Sequence, residues 1–383
     1  MRIALCMEYP LHQHGGVEVL VRELIGGLAP EHELFLISGD SPEGIENSLL
    51  RRLLAGHFSW PTEFAGREDA LRLAGWLGDQ RVDLAHFHFG GTYQWRARTY
   101  RHCPIPVLNS RGIRCVSTNH GAFSVFECVG PQRPLWFRLA ALPLFWPAKV
   151  RQVASVAWEA TVSKHDLAAV RRRFFPVSRK FTHIYHSKLD GNLPFNERKE
   201  PFILCLGTVG RRKGQPVLAE AFVRIGREFP GWKLVIAGRH AEADVSARLY
   251  ATINASGIAD RFEVLTDVSD ERATDLLARC GIFAFPSTHE GLGLALQEAL
   301  FAGAACVGSR AGGIIDLIEH DKTGMLVPPS QPEPLARALA LLMSDEGLRK
   351  RLGTIGRASI RDKGMTRQGM IARHIELYRS ALP

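Results

Sequence analysis

Twice along this chain an apolar, strand-like run passes through a glycine loop into an amphipathic helical stretch, and that repetition most limits how it can fold. The first pass runs over residues 3–7, through His14-Gly15-Gly16, into a helix over 17–28. The second runs over 202–206, through the basic glycine-rich loop 207–214, into a helix over 216–229 with Pro216 near its first turn, where proline is tolerated. Strand, glycine loop and helix in that order open a nucleotide-binding α/β unit. Further strand-like segments at 33–38, 82–89, 114–119 and 155–162 follow the first pass. Segments at 233–237, 262–265, 282–285, 304–308 and 325–327 follow the second, with helical stretches between. That alternation predicts parallel sheets with crossover helices. At 383 residues the chain also exceeds the size at which one hydrophobic core stops growing. The expected architecture is α/β, two Rossmann-like doubly wound domains facing a cleft. The expected divisions are an N-terminal domain over 1–186, a polar turn-rich linker over 187–200, a C-terminal domain over 201–365, and a last helix over 366–383 that crosses back to the first domain.

Composition narrows the partners. Lys and Arg exceed Asp and Glu to a net charge of +9, which favours anionic ligands such as a nucleotide sugar, a lipid phosphate or a membrane surface. No helix-turn-helix, zinc-finger or aromatic RNA-binding signature accompanies that charge, so nucleic acid is not expected. The seven cysteines, Cys6, Cys103, Cys115, Cys128, Cys205, Cys280 and Cys306, are scattered without a Cys-x-x-Cys pair and read as buried free thiols. No run of about 20 uncharged apolar residues is present, and the opening Met1-Arg2-Ile3-Ala4 lacks a signal-peptide layout. The expectation is a cytoplasmic protein without a spanning helix.

The most informative stretch is 285–300, Phe-Pro-Ser-Thr-His-Glu-Gly-Leu-Gly-Leu-Ala-Leu-Gln-Glu-Ala-Leu. A buried strand ends at Pro286, Gly291 and Gly293 allow a tight turn, and a helix begins near Leu294. Such a loop offers backbone N–H groups and the positive end of a helix to a diphosphate. Glu290 in the loop and Glu298 in the early helix are acceptors suited to sugar and ribose hydroxyls. The plainer alternative is a helix-capping glutamate with a surface neighbour. In Leu206-Gly207-Thr208-Val209-Gly210-Arg211-Arg212-Lys213-Gly214, cations follow a strand end, where charge on a leaving diphosphate needs them. A solvated basic turn is the alternative there. Gly15-Gly16 and His120, the latter at the end of Val116-Ser117-Thr118-Asn119-His120, are weaker signals in the first half.

Glu290 and Glu298, with seven residues between them, followed by Gly303 and Ala311-Gly312-Gly313-Ile314, closely resemble the Glu-x7-Glu motif of the retaining family-four glycosyltransferases of GT-B fold. The resemblance implies that Glu298 binds the nucleotide ribose, Glu290 the transferred sugar, and the amides of Gly291, Leu292, Gly293 and Leu294 the diphosphate. The basic loop resembles the family's Gly-Arg-x5-Lys-Gly, with Thr208 where the arginine usually stands. Arg212, or failing that Arg211, then partners Lys213. By the same resemblance Gly16 faces the diphosphate and His120 helps fix the reacting sugar. Asp83 and His86 match an Asp-x-x-His of the family, and His88 shares a strand face with His86. Neither histidine is read as a metal ligand. With no Asp-x-Asp in the chain, cations and helix ends are expected to replace a divalent ion.

The implied activity is retaining transfer of a hexose-type sugar from a nucleotide diphosphate sugar, without cofactor. The acceptor is expected to be carbohydrate or lipid-linked, in cell-surface polysaccharide or glycolipid synthesis. Two other readings are a nucleotide-sugar epimerase of the same fold and a catalytically silent nucleotide-binding module. Residues 133–149 carry Trp136, Phe137, Leu139, Leu142, Leu144, Phe145 and Trp146 between basic residues, which suits peripheral contact with the inner face of a membrane. Pro143 and Pro147 argue against one regular helix there, and a core contribution is the commoner role for such residues.

Overall fold

The structure is a computed structural model and describes residues 1–8, 10–11, 15–46, 48–60, 66–90, 103–121, 134–191, 195–238 and 242–383. His14, Cys128, Arg133 and residues 192–194 of the polar segment lie outside them. The chain divides into two compact units, Met1–Lys188 with Arg367–Pro383, and Leu189–Thr366.

The first unit is a seven-stranded sheet of β1 (Arg2–Met7), β2 (Glu33–Ser38), β3 (Gly56–Ser59), β4 (Leu84–Phe89), β5 (Arg114–Asn119), β6 (Glu159–Thr161) and β7 (Phe181–His183), in the order 3-2-1-4-5-6-7. Every pairing is parallel, with Ile3 opposite both Leu34 and Leu84. The second unit is a six-stranded parallel sheet of β8 (Glu200–Leu206), β9 (Lys233–Gly238), β10 (Phe262–Thr266), β11 (Cys280–Phe285), β12 (Ala305–Ser309) and β13 (Met325–Val327), in the order 10-9-8-11-12-13. Central strands covered on both faces lose the alternation of exposed and buried residues, and β4 and β11 are buried throughout. In each sheet the strand order reverses once, between β1 and β4 and between β8 and β11. Loops leaving the carboxyl ends of two such strands diverge and open a crevice between them.

Three expectations need correction. β3 and β7 were not anticipated, since Gly-His-Phe-Ser and Phe-Thr-His are too short and mixed to carry a strand pattern. The strand expected over 155–162 shrinks to Glu159–Thr161, because the preceding helix runs to Ala154. That helix, Leu135–Ala154, continues through both Pro143 and Pro147. Each proline removes an N–H and crowds the carbonyl four residues back. Both stand on the exposed side, so the disturbed carbonyls are those that water can reach. The inner side holds the helix in place: Ala141 and Val153 join Val170, Phe174 and Phe181 in one apolar cluster. Lys149, 1% exposed, lies 2.6 Å from the fully buried Glu159 of β6, whose carboxylate also accepts from Ser117 Oγ of β5 and Gln152 Nε2. Removing one partner of such a pair leaves a buried charge without its counterion, at a cost of about 3–5 kcal/mol.

A ring of histidines, four of them buried and His120 half-buried, fastens the last helix, Arg367–Ala381, to this sheet. His86 and His88 of β4, His120 after β5, His186, and His374 of the helix follow one another with ring centroids 3.9, 5.4, 4.8, 5.4 and 5.5 Å apart around the circuit. His86 Nδ1 meets the Tyr378 hydroxyl at 2.7 Å and its Nε2 meets Thr118 Oγ1 at 2.8 Å. His374 Nδ1 reaches the Met370 carbonyl at 2.8 Å. Burial, reinforced among the first four by neighbouring imidazoles, holds His86, His88, His120 and His186 well below the usual histidine range, and burial pushes His374 down to about 4. The unfolded chain therefore binds more protons than the native one below about pH 6.5. The stabilisation is complete above that pH and is lost as pH falls towards 4. Thermal unfolding followed by circular dichroism should show a midpoint that drops below pH 6.5. The drop should be shallower in His374→Asn, which keeps a donor for Met370 but cannot titrate, and parallel profiles for the two proteins would contradict this account.

Candidate active site

In the second unit the order reversal brings together the two loops singled out by sequence. The loop after β8 lies against the loop after β11 through backbone contacts: Thr288 N donates to Arg212 O at 2.8 Å. Gly214 has φ +70°, and a Cβ there would sit 2.4 Å from Pro286 O, so glycine is required twice over. Gln215 Nε2 donates to Thr208 O, steadying the loop at the departure from the family pattern. At the far end of this contact, Lys213 Nζ and Glu290 Oε1 stand 2.6 Å apart, although 77 residues separate them in sequence. Lys213 also lies 5.3 Å from the Phe285 ring centroid. Both side chains are mostly buried, so this ion pair is screened less than a surface pair.

The two arginines of the loop part company. Arg211 bonds Asp244 at 2.7 Å and lies 3.6 Å from Glu242, an exposed network turned to a neighbouring helix. The Arg212 side chain stays exposed without that engagement.

The loop after β11 leads through Gly291, buried Leu292 and Gly293 into the helix Leu294–Phe301. Gly293 takes φ +98°, with the Phe285 ring 3.0 Å from where a Cβ would be. No side chain caps this helix, so the amides of its first turn keep their capacity to bind an anion. Glu298 is half-buried within the helix. The turn Ala311-Gly312-Gly313 packs beneath: Gly313 N donates to Glu290 O at 2.8 Å, and a Cβ on Gly312 would lie 2.2 Å from that oxygen. The glycines of the family pattern thus serve to hold the backbone of Glu290 and Gly291.

In the first unit, Gly15 precedes the helix Gly16–Leu28, and a Cβ on it would meet the Glu18 carboxylate at 2.2 Å. A Cβ on Gly16 would meet nothing within 4 Å among the described residues. The atom met at Gly15 is the movable end of the Glu18 side chain, so packing against the described residues does not by itself demand glycine at either position. His120 follows β5, its backbone N donating to Phe89 O at 2.9 Å and its Nε2 3.2 Å from His88 Nδ1. Asp83 accepts from the Arg2 amide at 2.8 Å and so belongs to the framework. His186 and His374 completed a cluster that sequence reasoning did not anticipate; only the shared face of His86 and His88 signalled it. Among the described residues no group of His, Cys, Asp or Glu side chains is arranged to hold a metal ion. The six described cysteines are free and buried, and burial pushes the thiols of Cys103, Cys205 and Cys280 up to about 12, which leaves them unreactive.

Comparison with known proteins agrees with this geometry. Residues 14–187 match the family Glycosyltransferase Family 4, and residues 192–359 match Glycosyl transferases group 1. A lipopolysaccharide core biosynthesis mannosyltransferase of Rhizobium leguminosarum bv. viciae is 32% identical over 146 residues, 38% of this chain and 41% of that protein's length. An uncharacterized glycosyltransferase of Methanocaldococcus jannaschii is 26% identical over 374 residues, 91% of each chain. The crystal structure of Anabaena HepE in complex with UDP shares the fold, with a TM-score of 0.76 at 16% identity over 99% of this chain and 100% of that one. With the two family matches in tandem, two parallel α/β sheets and the Glu-x7-Glu segment at the strand-order reversal of the second, the chain belongs to the family-four glycosyltransferases of GT-B fold.

Proposed function

We propose that this glycosyltransferase moves a hexose-type sugar from a nucleotide diphosphate sugar, with retention of configuration and without a metal ion, to a carbohydrate or lipid-linked acceptor. The observation that carries the reading is the meeting of Lys213 and Glu290 at 2.6 Å beside the uncapped helix Leu294–Phe301. A diphosphate at that helix end takes the amides of Gly291, Leu292, Gly293 and Leu294 as donors, and it competes with Glu290 for Lys213. Glu290 is thereby freed to accept from sugar hydroxyls while Lys213 and Arg212 stabilise the charge on the leaving phosphate. Glu298 binds the ribose hydroxyls. His120 orients the sugar and Gly16 faces the diphosphate. The acceptor attacks on the face the diphosphate leaves, a phosphate oxygen takes its proton, and the transition state is oxocarbenium-like. The Rhizobium relative, a mannosyltransferase of lipopolysaccharide core biosynthesis, and the UDP of the Anabaena structure support donor and acceptor classes of this kind.

Incubating the protein with UDP-, GDP-, ADP- and dTDP-sugars in EDTA tests this. Nucleoside diphosphate should be released from one of them. Release should fall about tenfold or more in Glu298→Ala, the scale of losing hydrogen bonds to a charged group. It should fall likewise in Gly16→Val, at a position where a Cβ meets nothing within 4 Å among the described residues. A new sugar on intact nucleotide would replace the reading with epimerisation, and loss of all release in EDTA with recovery on Mg²⁺ would overturn metal independence.

We propose further that the helix Leu135–Ala154 rests on an anionic lipid surface. Its outer stripe of Trp136, Leu139, Ala140, Pro143, Leu144 and Pro147 carries no charge, and Trp136 and Leu144 are 69% and 65% exposed. Trp146, whose Nε1 donates to Arg173 O, joins the stripe to exposed Phe175, and Arg171, Arg172 and Arg179 flank Phe175 in sequence with exposed side chains. Among the described residues no helix is long and apolar enough to cross a membrane, so the arrangement suits lying at an interface. The protein should sediment with phosphatidylglycerol vesicles at low salt and be released in Trp136→Glu/Phe175→Glu. Equal recovery of both proteins in the supernatant would contradict it.

A further inference from the structure

His88 is 1% exposed and sits between His86, whose ring centroid is 3.9 Å away, and His120. Its Nδ1 lies 3.2 Å from His120 Nε2, while its Nε2 is buried without a hydrogen-bond partner among the described residues. An N···N bond between neutral imidazoles needs one N–H and one bare nitrogen, so the two rings have to agree on a tautomer. There are two solutions. If His120 donates, the proton of His88 is left on Nε2, a buried N–H facing no acceptor among the described residues, which carries the full desolvation cost of an unmade donor. If His88 donates from Nδ1, its Nε2 keeps only an unused lone pair. His86 cannot relieve either arrangement, because both its nitrogens are engaged with Tyr378 and Thr118.

We infer that His88 is a positioning residue that donates its Nδ1–H to His120 Nε2 and thereby fixes His120 as the tautomer bearing its proton on Nδ1. His120 then meets a ligand with an N–H donor directed at a sugar oxygen and does not act there as a base. This assignment rests on the proposed role of His120 at the sugar, and burial of both rings in their neutral forms is consistent with it.

Nitrogen-15 NMR of the full chain labelled at histidine reads the tautomer of His120 directly. In the wild type the proton should sit on Nδ1. In His88→Asn, whose amide N–H₂ takes the place of the Nδ1 donor, both the tautomer and donor turnover should be kept. In His88→Leu, and in His88→Gln with its amide at the Nε2 position, the tautomer should become mixed and turnover should fall about tenfold. A proton on Nε2 of His120 in the wild type overturns the inference without any variant, as does an unchanged tautomer in a folded His88→Leu. His120→Ala separates the two readings: full turnover in that variant removes the role of His120 at the sugar and leaves the tautomer result to judge His88.

Discussion

Two backbone loops have to touch for this site to exist, and the touching is a matter of glycine. The loops that leave β8 and β11 diverge from neighbouring parallel strands, yet Gly214 approaches Pro286 O and Thr288 N reaches Arg212 O. Any side chain at 214 would displace one loop from the other. From that contact follow the meeting of Lys213 with Glu290 and the direction of the helix that carries Glu298. Below it, Gly312 and Gly313 press on the backbone of Glu290 and Gly291 from the β12 side. The charged groups are thus positioned by backbone packing and need few bonds of their own. This suits the exchange of partners proposed for Lys213 and Glu290 on binding a diphosphate.

The first unit is organised differently. Its polar interior is made by side chains: one buried ion pair that pins the helix Leu135–Ala154, and one ring of neutral imidazoles that pins the helix Arg367–Ala381. Neither group can reorient without breaking buried contacts, which makes the sheet between them a rigid support for His120. The ring also ties His120, the histidine proposed to orient the sugar, to residues near the end of the chain.

How much of this was legible beforehand depended on whether a short stretch of sequence carried the cause. The order of strands and glycine loops was, since β2, β5 and β13 coincide with the runs expected for them. So was the Glu290 to Glu298 segment, because its glycines and carboxylates lie within one loop and one helix. Contacts between distant positions were not. Nothing in the local pattern tied Lys213 to Glu290, Arg211 to Asp244, Lys149 to Glu159, or His374 to His86. The prolines of Leu135–Ala154 misled for the same reason: local propensity counted two lost hydrogen bonds, while the helix is kept by an ion pair and an apolar face formed with other elements.

The central claim is that the Lys213 and Glu290 loop contact receives a nucleoside diphosphate. Calorimetric titration of UDP, GDP and ADP into the wild-type protein and into Lys213→Met measures it without need of an acceptor. The account predicts saturable binding of one of these nucleotides and an affinity lower by about tenfold or more in the variant. Equal affinity in the two proteins, with both folded, would contradict it.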